Sequence, residues 1–240
     1  MDVCAPVFSS NVLLSALPPE EIGQLRPLLT HVRWVRGQVV YEAGERIEHV
    51  YFVDQGFTSM IAESDNYRDH TGVGLVGREG MLGLPVLFSP EAVSFNQVVV
   101  QLPGAARRMT AQALRDGVDG MPVLRRLLFQ TLEVSMAQVA QTAACNGRHA
   151  LVQRLARWLL MAHDRVDGDE LTATHGSLAI LLGVQRAGVT VAMQALQMTG
   201  TLSPRRGRIL IHDRSGLKKA ACDCYGRIET FATTVASRKL

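Results

Sequence analysis

The chain has 240 residues, which is enough for one large domain or two small ones. Hydrophobic residues make up 47% of the sequence and charged residues 20%, which are globular proportions that exclude a disordered chain. The net charge of +3 is divided unevenly: residues 1–144 carry −4 and residues 145–240 carry +7, which indicates that the second part binds a polyanion and the first does not.

Targeting signals and cysteines narrow the class further. No apolar run is long enough for a transmembrane helix, and the opening Met1-Asp2-Val3-Cys4 lacks the basic and apolar regions of a secretory signal. The cysteines Cys4, Cys145, Cys222 and Cys224 are too few and too scattered for a disulfide scaffold. We therefore expect a reduced, cytoplasmic protein without a membrane partner.

The first 120 residues predict a helix followed by short strands. Pro18-Pro19-Glu20-Glu21 is typical of a helix start, because proline suits the first turn and acidic residues complement the helix dipole there. From Val32 onward apolar residues alternate, and glycines separate the runs. The predicted strands are Val32–Val35, Gln38–Tyr41, His49–Val53, Phe57–Ala62, Gly72–Val76 and Gln97–Leu102. This pattern predicts a β sandwich or barrel, of which the jelly roll is one kind, rather than a parallel sheet with crossover helices.

One long helix is predicted from Pro122 to about Ala144, where Asn146-Gly147 ends it. Apolar residues recur every three to four positions at Leu124, Leu128, Leu132 and Met136. A helix of this length is a rod of about 30 Å that a small sheet does not cover, so we expect these residues to form a seam with a second copy. The alternative is that the stripe lies on the protein's own sheet. Another helix is predicted at about Arg148–His163.

The segment after residue 172 has the pattern of a helix-turn-helix. Thr174 is a suitable cap for a helix over His175–Leu182, Gly183 suits the left-handed turn after it, and a second helix is predicted over Arg186–Met198. A basic hairpin tip then precedes an apolar strand, as in the wing of a winged helix, and its arginines are Arg205, Arg206 and Arg208. We expect the tip to contact phosphate; a solvated loop is the alternative.

These motifs together resemble the Crp/Fnr superfamily of bacterial transcription regulators. The helix-turn-helix part is Leu178-Ala179-x-x-Leu182-Gly183-Val184-x-Arg186-x-x-Val189, and the first half contributes Gly37-x-x-Val40-x-x-x-Gly44 and His49-Val50-Tyr51-Phe52-Val53-x-x-Gly56. The resemblance implies an α+β chain with a cyclic-nucleotide-binding-like jelly roll at 1–120, a dimerisation helix at 121–145 and a winged helix-turn-helix at 146–240. It also implies a homodimer that binds a pseudo-palindromic site on double-stranded DNA, with RNA polymerase as a further partner.

The resemblance assigns base reading to the second helix of the motif. The family's base-reading positions fall on Gln185, Arg186, Ala187, Thr190 and Val191. Arg186 matches the arginine that reads guanine, whereas Ala187 and Val191 replace an acidic residue and a second arginine, so the family's usual operator is not expected. The expected DNA contacts are Gln185, Arg186, Thr190 and Gln194 on this helix, Thr174 at the start of the motif, and the three wing arginines.

The effector is not expected to be cyclic AMP. The family's cyclic-AMP sites use a glutamate for the ribose and an arginine for the phosphate, but Leu84 stands at the glutamate position and Ser94-Phe95-Asn96-Gln97 has no arginine. A buried cyclic phosphate would then lose charge-assisted hydrogen bonds of about 1.5–3 kcal/mol each. An unidentified small-molecule effector, a constitutive regulator with a scaffold domain, and a ligand-binding adaptor that does not bind DNA stay open.

Neither a cofactor nor a catalytic activity is expected. An iron–sulfur cluster needs four thiolates, but only Cys4 lies near the N-terminus and Cys145 falls at the end of the long predicted helix. Cys222-Asp223-Cys224 lacks the usual spacing of a zinc site. We expect this pair to pack in a final helix near the wing, with a redox thiol as the alternative. Gly72-x-Gly74-x-x-Gly77 resembles a dinucleotide fingerprint only by its letters, because no helix follows it, and no other enzyme motif is present.

Overall fold

The computed structural model describes residues 8–63 and 70–238, so Cys4 lies outside the described residues. Two short helices, α1 (Val12–Ser15) and α2 (Pro19–Leu25), precede a six-stranded antiparallel sheet. Its strands are β1 (Thr30–Trp34), β2 (Val39–Tyr41), β3 (His49–Ala62), β4 (Thr71–Val76), β5 (Met81–Leu82) and β6 (Gln97–Thr110). The order is β1-β6-β3-β4, with β2 paired to β6 and β5 to β3, and the sheet is not closed.

Strand β3 joins two strands that the sequence predicts separately. Residues 54–56 lie between them, and the last of these is Gly56, whose φ of 78° is a left-handed value that favours glycine. The pairing of β3 with β6 shifts register on both sides of Gly56, so the backbone bulges and then continues. Because β6 pairs along the whole length of β3, it extends to Thr110, eight residues beyond its predicted end at Leu102.

Helix α3 (Ala111–Val118) leads to the long helix α4 (Pro122–Arg148). The start of α4 is capped from a distance, because the two carboxylate oxygens of buried Glu21 accept the Val123 and Leu124 N–H groups at 2.8 Å each. Its end differs from the prediction, since the helix runs through Asn146-Gly147. Arg154 Nε donates to Asn146 Oδ1 at 3.1 Å and so holds this last turn.

The prediction of a dimer seam on α4 is wrong for its first two residues, Leu124 and Leu128, because both are buried. Leu124 and Leu128 have no exposed surface and pack in the core of the first half, together with Phe52. They are therefore not available to a second copy, because the start of α4 lies on the protein's own sheet. Leu132 packs partly against the same core, whereas Met136 is 65% exposed.

The second half is a winged helix-turn-helix. It contains helices α5 (Leu151–His163), α6 (His175–Leu182), α7 (Arg186–Met198), α8 (Arg214–Ala220) and α9 (Cys224–Ala236), and a small sheet of β7 (Glu170–Leu171), β8 (Leu202–Arg205) and β9 (Arg208–Ile211) in the order β7-β9-β8. Helices α5, α6 and α7 and the small sheet share one apolar core. No single helix of the described ranges is long and apolar enough to cross a membrane; α6 and α7 pass that test only as a pair bent by 105°.

Candidate nucleic-acid interface

The angle between α6 and α7 is set by two local signals. The Thr174 side chain accepts the Ser177 N–H at 3.0 Å and starts α6, and Gly183, with a φ of 59°, ends it in the left-handed conformation. The two helices meet at 105°, within the range of a helix-turn-helix. Both helix ranges agree with the prediction.

Helix α7 presents a buried face and an exposed face. Val189, Ala192, Met193 and Leu196 are buried against the rest of the second half. Gln185, Arg186 and Gln194 are exposed, and so is the apolar side chain of Val191, at 67%. The structure therefore leaves three of the four predicted base-contacting residues of α7 free to meet another molecule.

Thr190, the fourth, is partly engaged within the protein. Its hydroxyl lies 3.0 Å from His175 Nδ1 and donates to the Arg186 carbonyl oxygen at 3.2 Å. His175 opens α6, so this contact joins the start of the first helix to the exposed side of the second. Sequence reasoning missed His175 because its partner is 15 residues away; a polar residue directly after the Thr174 cap was the available signal.

The wing places its basic tip beside the helix-turn-helix. Gly207, with a φ of 73°, makes the tight turn between β8 and β9. An open cleft of about 420 Å³ lies between this turn and the two helices. The cleft brings together four of the eight predicted contacts, and its lining includes Thr174, His175, Gly176, Arg186, Arg205 and Arg208. The free N–H groups at the start of α6 add partial positive charge to it.

The three wing arginines are not equivalent. Arg208 Nη1 forms an ion pair of 2.7 Å with Glu170 Oε1 on the neighbouring strand β7. Arg205 and Arg206 are exposed, and neither forms an ion pair with a described carboxylate. Arg208 is thus partly neutralised and held along the sheet, whereas the other two are free to reach phosphate.

The cyclic-AMP sites of the Crp/Fnr family have a glutamate at the position of Leu84. The first half of this chain has no polar side chain at that position. Met81 and Leu82 on β5, and Leu84 just after it, are all buried apolar side chains. Ser94 is buried too, and its hydroxyl donates to the Asn96 carbonyl at 2.7 Å instead of facing a ligand.

The glycines of the dinucleotide-like pattern serve close packing. A Cβ atom at Gly72 would lie 2.7 Å from the Leu181 carbonyl oxygen, and one at Gly77 would lie 2.9 Å from Arg165 Cγ. These glycines allow the second half to approach β4.

Comparison with known proteins agrees with this architecture. Residues 153–220 match the Crp-like helix-turn-helix domain. The transcriptional regulator SdrP of Thermus thermophilus is 27% identical over 202 residues, which are 78% of this chain and 95% of the relative.

Two solved structures of low identity share the fold. A Crp/Fnr-family transcriptional regulator from Thermus thermophilus has a TM-score of 0.64 at 23% identity, over 80% of this chain and 98% of that one. The c-di-GMP responsive global regulator CLP of Xanthomonas campestris has a TM-score of 0.66 at 18% identity, over 81% and 99%. Residues 153–220 therefore form a Crp-like helix-turn-helix domain, and the sheet, the long helix and this domain together are similar in arrangement to regulators of the Crp/Fnr family.

Proposed function

We propose that this regulator binds a specific double-stranded DNA site through the cleft between its wing and its helix-turn-helix. The observation that carries the proposal is that Thr174, Arg186 and two wing arginines line one basic cleft although they are up to 34 residues apart in the chain. The two arginines are Arg205 and Arg208. Phosphate contacts would fix the position of the protein, and the exposed side of α7 would enter the major groove.

Arg186 is proposed to read a guanine. It is the first residue of α7 and is exposed, and residues at the start of a recognition helix face base edges. Arginine bound through two hydrogen bonds to guanine O6 and N7 is the commonest specific contact. Gln185, Thr190 and Gln194 would tune the neighbouring positions, and the exposed Val191 suits a thymine methyl group.

The regulator is proposed to act as a homodimer through the outer face of α4. Phe129 is 43% exposed and Met136 is 65% exposed, and with Leu132 they follow one another at spacings of three and four residues. Phe88, 64% exposed, lies beside Phe129 with ring centres 6.4 Å apart and widens this apolar surface. A dimer would place two copies of α7 about 34 Å apart, in successive major grooves of a pseudo-palindrome.

An effector, if one acts, is proposed to bind between the two halves. A cavity of about 440 Å³ lies between the turn at 78–81 and helices α4, α5 and α9, with Met81, Thr131, Met161 and Tyr225 among its lining residues. A ligand there would contact both halves. Its affinity would therefore differ between conformations in which the two halves have different relative positions. Its mostly apolar lining suits a small organic molecule rather than a cyclic nucleotide.

Selection of duplexes from random DNA by the full-length protein tests the proposal. Enrichment of a two-half-site sequence with guanine at a fixed position in each half supports it, and transcription with RNA polymerase on a promoter carrying that sequence then shows activation or repression. A selection that enriches no sequence, with binding only to nonspecific duplex, would contradict it. Repeating the selection with cell metabolites distinguishes an effector-controlled regulator from a constitutive one.

A further inference from the structure

The end of α4 and the segment between α8 and α9 bring four potential metal ligands together. Cys145, Cys222 and Cys224 are buried, and His149 is partly buried. One ligand atom from each of the four lies within 4.8 Å of every other. The Cys145 and Cys222 sulfurs are 3.5 Å apart, and Cys224 Sγ is 3.4 Å from His149 Nδ1.

This arrangement matches a single tetrahedral metal ion. With zinc–sulfur bonds of about 2.3 Å and zinc–nitrogen bonds of about 2.0 Å, tetrahedral ligand atoms lie roughly 3.5–3.8 Å apart. The two closest pairs already have this spacing, and small rotations of the side chains bring in the rest. An iron–sulfur cluster spreads its thiolates over several iron atoms and would need a wider set.

A buried cation beside the cluster provides a second, independent observation. Arg157 is 5% exposed, its Nη2 donates to Thr142 Oγ1 at 3.0 Å, and its Nε has no hydrogen-bond partner among the described residues. Thr142 is three residues before Cys145 on α4, so the guanidinium is bonded to this helix within one turn of that cysteine. A buried charge without a counter-charge is costly, and no ion pair with a described carboxylate relieves it.

We propose that Cys145, His149, Cys222 and Cys224 bind one divalent transition metal ion, with zinc as the best fit. Binding displaces the three thiol protons, and the neutral imidazole supplies the fourth ligand. The resulting centre carries a net charge of −1, which balances Arg157. Gln141 Nε2 donates to Cys224 Sγ at 3.0 Å and orients that ligand from outside the metal's coordination sphere.

The metal would join parts of the chain that are far apart in sequence. Cys145 and His149 sit at the last turn and cap of α4, whereas Cys222 and Cys224 flank the start of α9. The four bonds would thus fix the end of the long helix to the last helix, at the point where the two halves of the regulator meet. Cys222-Asp223-Cys224 is expected from the sequence to pack near the wing, but the structure places Cys222 and Cys224 against Cys145 and His149 at the end of α4.

Cobalt titration of the reduced, chelator-treated full-length protein tests the proposal. We expect one equivalent of Co²⁺ per chain to bind with the intense visible bands of tetrahedral cobalt and a thiolate charge-transfer band. Zn²⁺ should displace it, and the protein purified without chelator should contain one zinc per chain by elemental analysis. Zinc should also raise the melting temperature, because it binds the folded state.

Matched variants make the test specific. Cys222→Ser, Cys224→Ser and His149→Ala should lose the cobalt spectrum, whereas His31→Ala, which changes a histidine on β1 outside the cluster, should keep it. Gln141→Leu should lower the metal affinity about 10–100-fold without abolishing the cobalt spectrum. Circular dichroism checks that each variant is folded.

Three results would overturn the proposal. One is a wild-type protein that gives no tetrahedral cobalt spectrum. Another is a folded Cys222→Ser variant that binds as tightly as the wild type. The last is a Cys145–Cys222 disulfide that forms without added oxidant and excludes the metal. The wild-type titration does not depend on whether any variant folds.

Discussion

The side chain of Gln138 forms two hydrogen bonds with the backbone of Leu75. Its Oε1 accepts the Leu75 N–H at 2.8 Å, and its Nε2 donates to the Leu75 carbonyl at 3.3 Å. Leu75 lies on β4, the strand at the end of the sheet path β1-β6-β3-β4, so Gln138 occupies the place that another strand would take. Helix α4 is thereby fixed to the edge of the sheet through its buried amide.

The same strand also receives the helix-turn-helix. Three residues before Leu75, Gly72 lies against the backbone of Leu181 on α6. A few residues further on, Glu79 forms an ion pair of 2.6 Å with Arg165, just after α5. Strand β4 and the turn after it therefore contact both the long helix and the DNA-binding half, so a change in this region would alter how the two halves pack.

Gly72→Ala should loosen the contact between α6 and β4. The added methyl group would lie 2.7 Å from the Leu181 carbonyl oxygen, a backbone atom that cannot move alone, and such overpacking costs about 1–3 kcal/mol. Hydrogen exchange of α6 should become faster in the variant. Gly23→Ala is the control, because nothing lies within 4 Å of that position. Unchanged exchange in Gly72→Ala would show that the contact does not hold α6.

Phe129→Asp and Leu128→Asp should have different effects. The first should disrupt the dimer, and the second should lower the folding stability. Phe129 is on the outer face of α4, so its aspartate should give a folded monomer by sedimentation, with weaker operator binding because each half-site alone binds poorly. Leu128 is wholly buried, so its aspartate should cost several kcal/mol of folding stability and lower the melting temperature sharply. A Phe129→Asp protein that stays dimeric would move the interface away from this face.

Local signals explain which parts of the fold the sequence predicts well. The ranges of α6 and α7 agree with their predictions because Thr174 and Gly183 fix the ends of α6 by local bonding. The end of α4 does not, because Arg154 holds the Asn146 turn from another helix. The sequence shows the apolar period of α4, but a period does not tell which partner the apolar stripe faces, and Leu124 faces the protein's own core.

The candidate metal cluster was missed for a related reason. Cys145 and Cys222 are 77 residues apart, and their approach depends on how α9 packs against α4. The local signal available was the pair Cys145-x-x-x-His149, whose members are one helical turn apart. Likewise, the sequence does not show that Arg208 is paired with Glu170, because that contact crosses the small sheet.

Arg206→Ala and Arg208→Ala should have unequal effects on DNA binding. Arg206 is exposed, so its loss should weaken binding to all DNA sequences alike. It should also reduce the slope of log affinity against log salt concentration by about one unit. Arg208 is already paired with Glu170, so its loss should change the slope less. Fluorescence anisotropy at several salt concentrations measures both, with the exposed Arg36→Ala of the first half as control. Equal slopes for all three variants and the wild type would argue against phosphate contact by the wing.

Cyclic AMP and cyclic GMP should not bind with micromolar affinity. Strand β5 and the residues after it offer the buried apolar side chains of Met81 and Leu84, and the Ser94 hydroxyl donates to the Asn96 carbonyl in its own loop. A cyclic phosphate would therefore lack charge-assisted partners there. Isothermal titration calorimetry of the full-length protein measures this binding directly. A micromolar dissociation constant would contradict the inference that the first half has no cyclic-nucleotide site.

Selection of random duplexes by wild type and Arg186→Ala tests most directly whether α7 reads DNA through Arg186. We expect the substitution to cost about 1–3 kcal/mol of binding free energy on the selected site and to relax the preference at one base pair in each half-site. Gln197→Ala, an exposed change near the other end of the same helix, should leave that base pair unchanged. An unchanged sequence preference with uniformly weaker binding in Arg186→Ala would show that the residue contacts only phosphate and would contradict the claim.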